Sequence, residues 1–196
     1  MSHLLSFVQR SRLQAALRTQ EEVISKIGGQ PLSDSFGREQ MKKFTRVIQT
    51  KPKLVKKDLG TSKGLTMNML DDTTDHVVTL YDDDLQKVVA YGKLEDSPYS
   101  NRYRMYNLYV DKDWRGKGLA TVLHLGALHV LKHLESDTTM AVGALKAFKS
   151  LEKFGYKVKM FDTDTGKTVP FTWGPSDVPV VNGHSIEDEE HYALYV

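Results

Sequence analysis

Apolar positions recur along this chain at two spacings, and the change between them falls near residue 60. Leu5, Val8, Leu13, Ala16, Leu17, Ile24 and Ile27 sit close to helical spacing, which predicts a helix over 2–27 stopped at Gly28-Gly29. Pro31 to Asp34 reads as a turn. Asp34 or Ser35 then caps a second helix over about 36–49, with Met41, Phe44, Val47 and Ile48 as its buried stripe and Pro52 past its end. Beyond it, Leu65–Leu70, His76–Tyr81, Lys87–Leu94 and Tyr103–Val110 are short, rich in β-branched or aromatic residues, and bounded by turn residues. Asp82-Asp83-Asp84 and Ser97-Pro98-Tyr99-Ser100-Asn101 read as hairpin tips, so these strands form an antiparallel meander. The last strand leads through Asp111–Trp114 into a glycine turn and a helix to about Leu134. Thr138–Val142 reads as a short buried strand. A helix over Ala144–Phe154 ends at Gly155, and strands follow at Tyr156–Phe161 and His191–Val196. Residues 162–190, with three prolines and three glycines, read as a loop or hairpin insertion. No internal repeat is visible.

Composition narrows the function classes. A length of 196 residues fits one good-sized domain, or one domain with a terminal module. At that size roughly 70% of the unfolded surface can be buried, so no disulfide or metal staple is required. There is no cysteine, which removes thiol catalysis, Cys-ligated zinc, iron–sulfur clusters and disulfides together and fits a reducing, cytoplasmic setting. No run of 18 apolar residues is present, so no membrane span is expected. The first 20 residues carry Arg10, Arg12 and Arg18 and no acid, a composition shared by transit peptides and by ordinary amphipathic helices. The formal charge of +2 hides an asymmetry. Residues 1–60 hold 12 basic and 5 acidic groups, net +7, and the remainder is net −5. The chain therefore divides into a basic helical N-terminal arm, 1–60, and a domain over 61–196 carrying the 162–190 insertion. The arm is a candidate contact for protein or nucleic acid.

One element carries chemistry: Arg115-Gly116-Lys117-Gly118-Leu119-Ala120, between a strand and a long helix. Two glycines let the backbone turn tightly and let a ligand approach its N–H groups. The helix that starts there leaves its first N–H groups unpaired and aims a partial positive charge at the same spot. A diphosphate fits that arrangement, and Arg115 and Lys117 add full charges for its oxygens. A P-loop is a poorer fit, because Gly166-Lys167-Thr168 follows Phe161 where the first glycine belongs and reads as a hairpin turn. The dinucleotide pattern fails at Thr121, and the preceding strands look antiparallel. His129 and His133 have a metal-compatible i,i+4 spacing but no third ligand nearby in sequence, so no metal is expected.

The pattern Arg115-x-x-Gly118-x-Ala120 after Leu108-Tyr109-Val110 resembles the acetyl-CoA-binding motif of GNAT-type N-acetyltransferases. Downstream, Ala147-Phe-Lys-Ser-Leu-Glu-Lys-Phe-Gly155-Tyr156 is similar to that family's A-x-x-x-Y-x-x-x-G-[FY] segment. The resemblance implies a mixed α/β (α+β), mostly antiparallel sheet whose strand Tyr106–Val110 splays from the next strand. Acetyl-CoA would lie in the gap, with pantetheine along Leu108, Tyr109 and Val110 and the diphosphate on Arg115, Gly116, Lys117, Gly118, Leu119 and Ala120. The acyl carbonyl would meet an incoming amine, and a strand N–H would stabilise the tetrahedral intermediate. With no cysteine, transfer would be direct, short of an unusual Ser or Lys nucleophile.

The family's Tyr acid falls on Leu151 and its Asn on Ala144. Tyr106 is the candidate catalytic group. Tyr106 and Tyr109 are expected on opposite faces of their strand, where aromatic packing is the competing role for each. Glu95 and Asp96 end the preceding strand and compete with plain surface charge. Two functions stand: an acyltransferase acting on an unidentified amine, cationic if the acidic C-terminal part attracts it, or a CoA-binding or partner-binding scaffold without turnover. A nicotinamide enzyme is a third. A homodimer is left open.

Overall fold

The period-two stretches fold as strands. The computed structural model describes residues 33–50, 55–62, 64–72, 75–138, 140–186 and 191–196, and the helix expected over 2–27 lies outside them. Among the described residues the first element is helix α1 (Asp34–Thr50). It is followed by β1 (Val55–Ser62), β2 (Leu65–Asp72), β3 (Asp75–Asp82), β4 (Lys87–Asp96) and β5 (Tyr103–Val110), each strand antiparallel to the next. β1 was not read from the sequence as a strand. It is the edge of the sheet, where lysine-rich sequence discourages further pairing, so Lys56 and Lys57 mask the strand signal.

Helix α2 (Leu119–Leu131) follows, then β6 (Leu134–Ser136), α3 (Val142–Leu151), β7 (Lys159–Asp162), β8 (Thr168–Val169), β9 (Thr172–Trp173), β10 (Pro179–Val181), β11 (His184–Ser185) and β12 (Tyr192–Tyr195). Nine strands form one sheet in the order β1-β2-β3-β4-β5-β6-β12-β7-β8. All its pairs are antiparallel except β5–β6. The expected strand at Thr138–Val142 is corrected by this topology: the strand is Leu134–Ser136, and α3 already begins at Val142. Glu135 hides it, since a carboxylate in a fully buried three-residue strand reads as loop. The structure satisfies that carboxylate with the hydroxyls of Ser97 and Ser100, both at 2.7 Å, and with Arg102 at 3.9 Å. The 162–190 segment contributes β8 to the main sheet and a separate small sheet, β11-β10-β9. Gly166-Lys167-Thr168 sits in the β7–β8 turn, where the Asp162 carboxylate accepts the N–H groups of Asp164 and Thr165.

The sheet has two covered faces. On one, α2 and α3 pack over Met69, Val78, Leu80, Ala90, Leu94 and Met105. Between these helices the fully buried His124 sits edge-on to Phe148 at 4.9 Å, with Nδ1 2.7 Å from the Ala120 carbonyl. On the other face α1 brings Met41 and Phe44 against Leu70, Val77, Tyr81, Val88, Tyr91 and Tyr109. Burying each of those two α1 side chains contributes roughly 1.5–3 kcal/mol. That outweighs anything from the exposed cations Arg38, Lys42 and Arg46 on its outer side. Thus α1 and most of β1, which fall in the segment read as a basic arm, are packed on and paired into the sheet. Gly37 sets the close approach of α1, because a Cβ there would clash with the Tyr109 ring. Ser33, not Asp34 or Ser35, caps α1: its Oγ accepts the Phe36 N–H at 3.3 Å. Among the described residues no helix is long and apolar enough to cross a membrane.

Two stability predictions follow from this packing. Gly37→Ala drives a methyl into a ring held on both sides, whereas Gly126→Ala meets the flexible thioether of Met67. Urea denaturation is expected to show a loss of about 1–3 kcal/mol for Gly37→Ala and a smaller one for Gly126→Ala; the reverse order would contradict the account of α1 docking. Burial holds His124 down to about 4 from 6.5. Its contribution is therefore full above pH 6.5 and is lost as the unfolded chain alone takes up a proton between pH 6.5 and 4. Wild type should lose about 3 kcal/mol more than His124→Phe across that window. Parallel pH slopes for the two proteins would rule this out.

Candidate functional site

The site begins with a defect in strand pairing. β5 runs beside β4 along its whole length, but it pairs with β6 only at Tyr103↔Leu134, Arg104↔Glu135 and Met105↔Ser136. Past Met105 the two strands part. The β4 register jumps at the same place, from Lys93↔Tyr106 to Tyr91↔Tyr109, so Asn107 and Leu108 bulge opposite Gly92. Asn107 takes a φ of 47°, a left-handed conformation that asparagine tolerates. The bulge corrects the expectation for the two phenols. Lys93 and Tyr91 share one face of β4, so Tyr106 and Tyr109 share the corresponding face of β5, the face that α1 covers.

The turn after β5 is built from short-range bonds. The Asp111 carboxylate accepts the Asp113 N–H at 3.1 Å, and a single 3-10 turn, Lys112–Trp114, follows. Arg115 is extended; Gly116 and Gly118 take φ of 76° and 78°, values that L side chains adopt only with strain. Nothing lies within 4 Å of a Cβ built on either glycine, so the turn faces open space. Gly118 precedes α2 without any side-chain cap, leaving the first N–H groups of the helix for a ligand or water.

A cleft of about 500 Å³ lies between the free edge of β5, this turn and α3. Its walls include Leu108, Tyr109, Val110, Trp114, Arg115, Gly116, Gly118, Leu119, Ala120 and Thr121 on one side. On the other are Ala141, Gly143, Ala144, Lys146, Ala147 and Ser150. Among the described residues the lining holds two cations, Arg115 and Lys146, and no carboxylate. With the α2 N-terminus at one end, the electrostatics suit an anion. Gly143, Ala144 and Ala147 keep the α3 wall low. The α3 residues carry the one sequence signal that went unread: small residues at 143 and 147, with Lys146 and Ser150 one turn apart on the same side.

The structure thus brings eight of the nine sequence-derived cofactor residues to one cleft. Lys117 is the exception; its Nζ lies 4.4 Å over the Trp114 ring. Tyr109 borders the cleft, but its ring stacks on Tyr91 at 6.0 Å and its hydroxyl donates to Asp34 Oδ1 at 3.0 Å. Burial, then the carboxylate beside it, pushes the Tyr109 hydroxyl up. Asp34 also accepts from the Arg115 guanidinium, which, ahead of the Tyr109 bond, holds its carboxyl below the usual range. Tyr106 is not in the cleft lining; it stands at the vertex of the split, the first β5 residue past the last β6 pair. Leu151 is fully buried in the core. Glu95 is committed to Arg104, whose Nε donates to it at 2.9 Å and whose other arm reaches Asp137 at 3.3 Å. Among the described residues no three His, Asp or Glu side chains cluster as a metal site.

Comparison with known proteins agrees with this geometry. The model of the acetyltransferase (GNAT) family matches residues 38–156, more than half of the chain, from within α1 through the end of α3 and Gly155. No curated protein matches the chain.

Proposed function

The chain belongs to the acetyltransferase (GNAT) family, and from that premise we propose that it moves an acetyl group from acetyl-CoA directly onto an amine. The cleft at the parting of β5 and β6, cationic among the described residues and ended by the uncapped N-terminus of α2, carries this reading. The open space at Gly116 and Gly118 fits a diphosphate laid against the turn backbone. The α2 N–H groups and Lys146 supply its positive surroundings. The exposed edge of β5 at Leu108–Val110 offers backbone partners to an extended amide-bearing arm, as one more strand would. Acetyl-CoA supplies an activated thioester; the protein's part is to hold the acyl carbon at the split and keep the amine aligned with it. With no cysteine in the chain, an acyl-cysteine stage is absent.

Proton transfer falls to groups that border the split. Tyr106 stands at its vertex on the α1 side, and Lys146 with Ser150 are the polar side chains of the α3 wall. The acceptor class is a cationic amine, a polyamine, an aminoglycoside or a lysine-rich protein, drawn by the net −5 of residues 61–196.

One observation favours a second reading, a CoA-binding scaffold without turnover. Leu151, at the position of the family's Tyr acid, is closed inside the core, and Ala144 offers the cleft no amide.

Calorimetric titration with acetyl-CoA tests the site. Wild type is expected to bind, and Gly118→Asp to bind at least about tenfold more weakly, since it sets a carboxylate in the diphosphate turn. Equal binding by both would overturn the assignment. Release of free CoA thiol with spermidine or polylysine separates the two readings: binding without release would leave the scaffold.

A further inference from the structure

The sequence assigns Arg115 to phosphate, yet the structure commits it elsewhere. Its guanidinium is bonded to Asp34 Oδ1, 81 positions earlier in the chain, and its Nε donates to the Val110 carbonyl at 3.1 Å. The group lies 5.6 Å from the centre of the Tyr109 ring. Asp34 is held in place from two directions. Tyr109 donates to the same oxygen at 3.0 Å, and the contact of Gly37 with the Tyr109 ring fixes the first turn of α1. Ser33 caps that turn, so the Asp34 carboxylate is not spent on the helix.

Two consequences bear on the cleft. Asp34 is not part of its lining, yet it neutralises one of the two cations that are. Arg115 also occupies a strand edge. The Asp111 N–H bonds to Val89 on β4, so by alternation the Val110 carbonyl points to the free side of β5, where an extended ligand would pair. One side chain therefore covers a ligand-facing carbonyl and withholds a ligand-facing charge. The Arg115 and Asp34 side chains are 51% and 40% exposed, so water screens their pair and an incoming anion can exchange with it.

We propose that Asp34 is a positioning residue that stores Arg115 and yields it to the diphosphate when acetyl-CoA enters. Resting on the cleft assignment above, the hand-over supplies a charge-assisted partner for the phosphate oxygens and uncovers the Val110 carbonyl in one movement.

The test is a double-mutant cycle read by calorimetry with CoA. Asp34→Asn keeps the shape and an acceptor for Tyr109 but removes the charge that retains Arg115. It is expected to bind CoA roughly two- to fivefold more tightly than wild type, the range of an exposed ion pair. Asp34→Glu should return to the wild-type value, and Asp34→Asn should bring no gain in an Arg115→Met background. A residue with a merely structural role predicts the opposite sign, weaker binding as α1 loosens. Unchanged or weaker binding by Asp34→Asn, or a gain that persists without Arg115, overturns the hand-over while the cleft stands. A wild type that binds no CoA defeats the cleft assignment itself and the hand-over with it.

Discussion

Three residue pairs between β5 and β6 set the geometry of the cleft. Backbone N–H and C=O groups need partners, and a strand edge left without one must be answered by water, a side chain or a ligand. Beyond Met105 the edge of β5 is in that position. The pairing stops there because β6 is three residues long and fixed at its centre. Glu135 is fully buried, and a buried carboxylate persists only where hydrogen bonds replace its water. Ser97 and Ser100 in the β4–β5 hairpin supply them, which locks β6 to that hairpin in one register. Ser136 adds a second tie, accepting the Leu194 N–H at 2.9 Å from β12. The vertex of the split is thus held by polar bonds inside the sheet, and the cleft opens from it.

The charge asymmetry of the sequence takes a different meaning in three dimensions. The cations of α1 face solvent, and the helix stays on the sheet through Met41, Phe44 and the close contact at Gly37. Among the described residues of this basic segment, an acid, Asp34, pairs with a base of the acidic part that lines the cleft, Arg115. Net charge by segment locates neither group. It speaks to the surroundings of the protein rather than to individual pairs.

Much of the fold was legible because its signals are local. Alternation marked β2 through β5, the glycine turn marked the start of α2, and Gly155, with φ of 85°, marked the end of the 3-10 turn Glu152–Phe154 that extends α3. What escaped depends on partners distant in sequence. β1 reads as a basic run because its lysines suit an edge. β6 reads as loop because the Ser hydroxyls that make Glu135 tolerable lie 35 and 38 residues away. Tyr106 was put opposite Tyr109 because an extra residue in β5 cannot be seen without its neighbour strand. Eight of the nine residues expected to hold a cofactor line one cleft, and their signal was local, because backbone conformation favours glycine at 116 and 118. The α3 wall was missed because Gly143, Ala147 and Ser150 act by being small or neutral and leave little trace in a sequence.

The central claim is that the unpaired backbone at the start of α2 and along the edge of β5 receives acetyl-CoA. Amide hydrogen exchange, resolved by residue with and without acetyl-CoA, reads those groups directly. Protection on binding should concentrate at Leu119, Ala120 and Thr121, with a second group at Leu108–Val110. Binding that leaves these amides exchanging as before, with protection elsewhere on the sheet, would contradict the account.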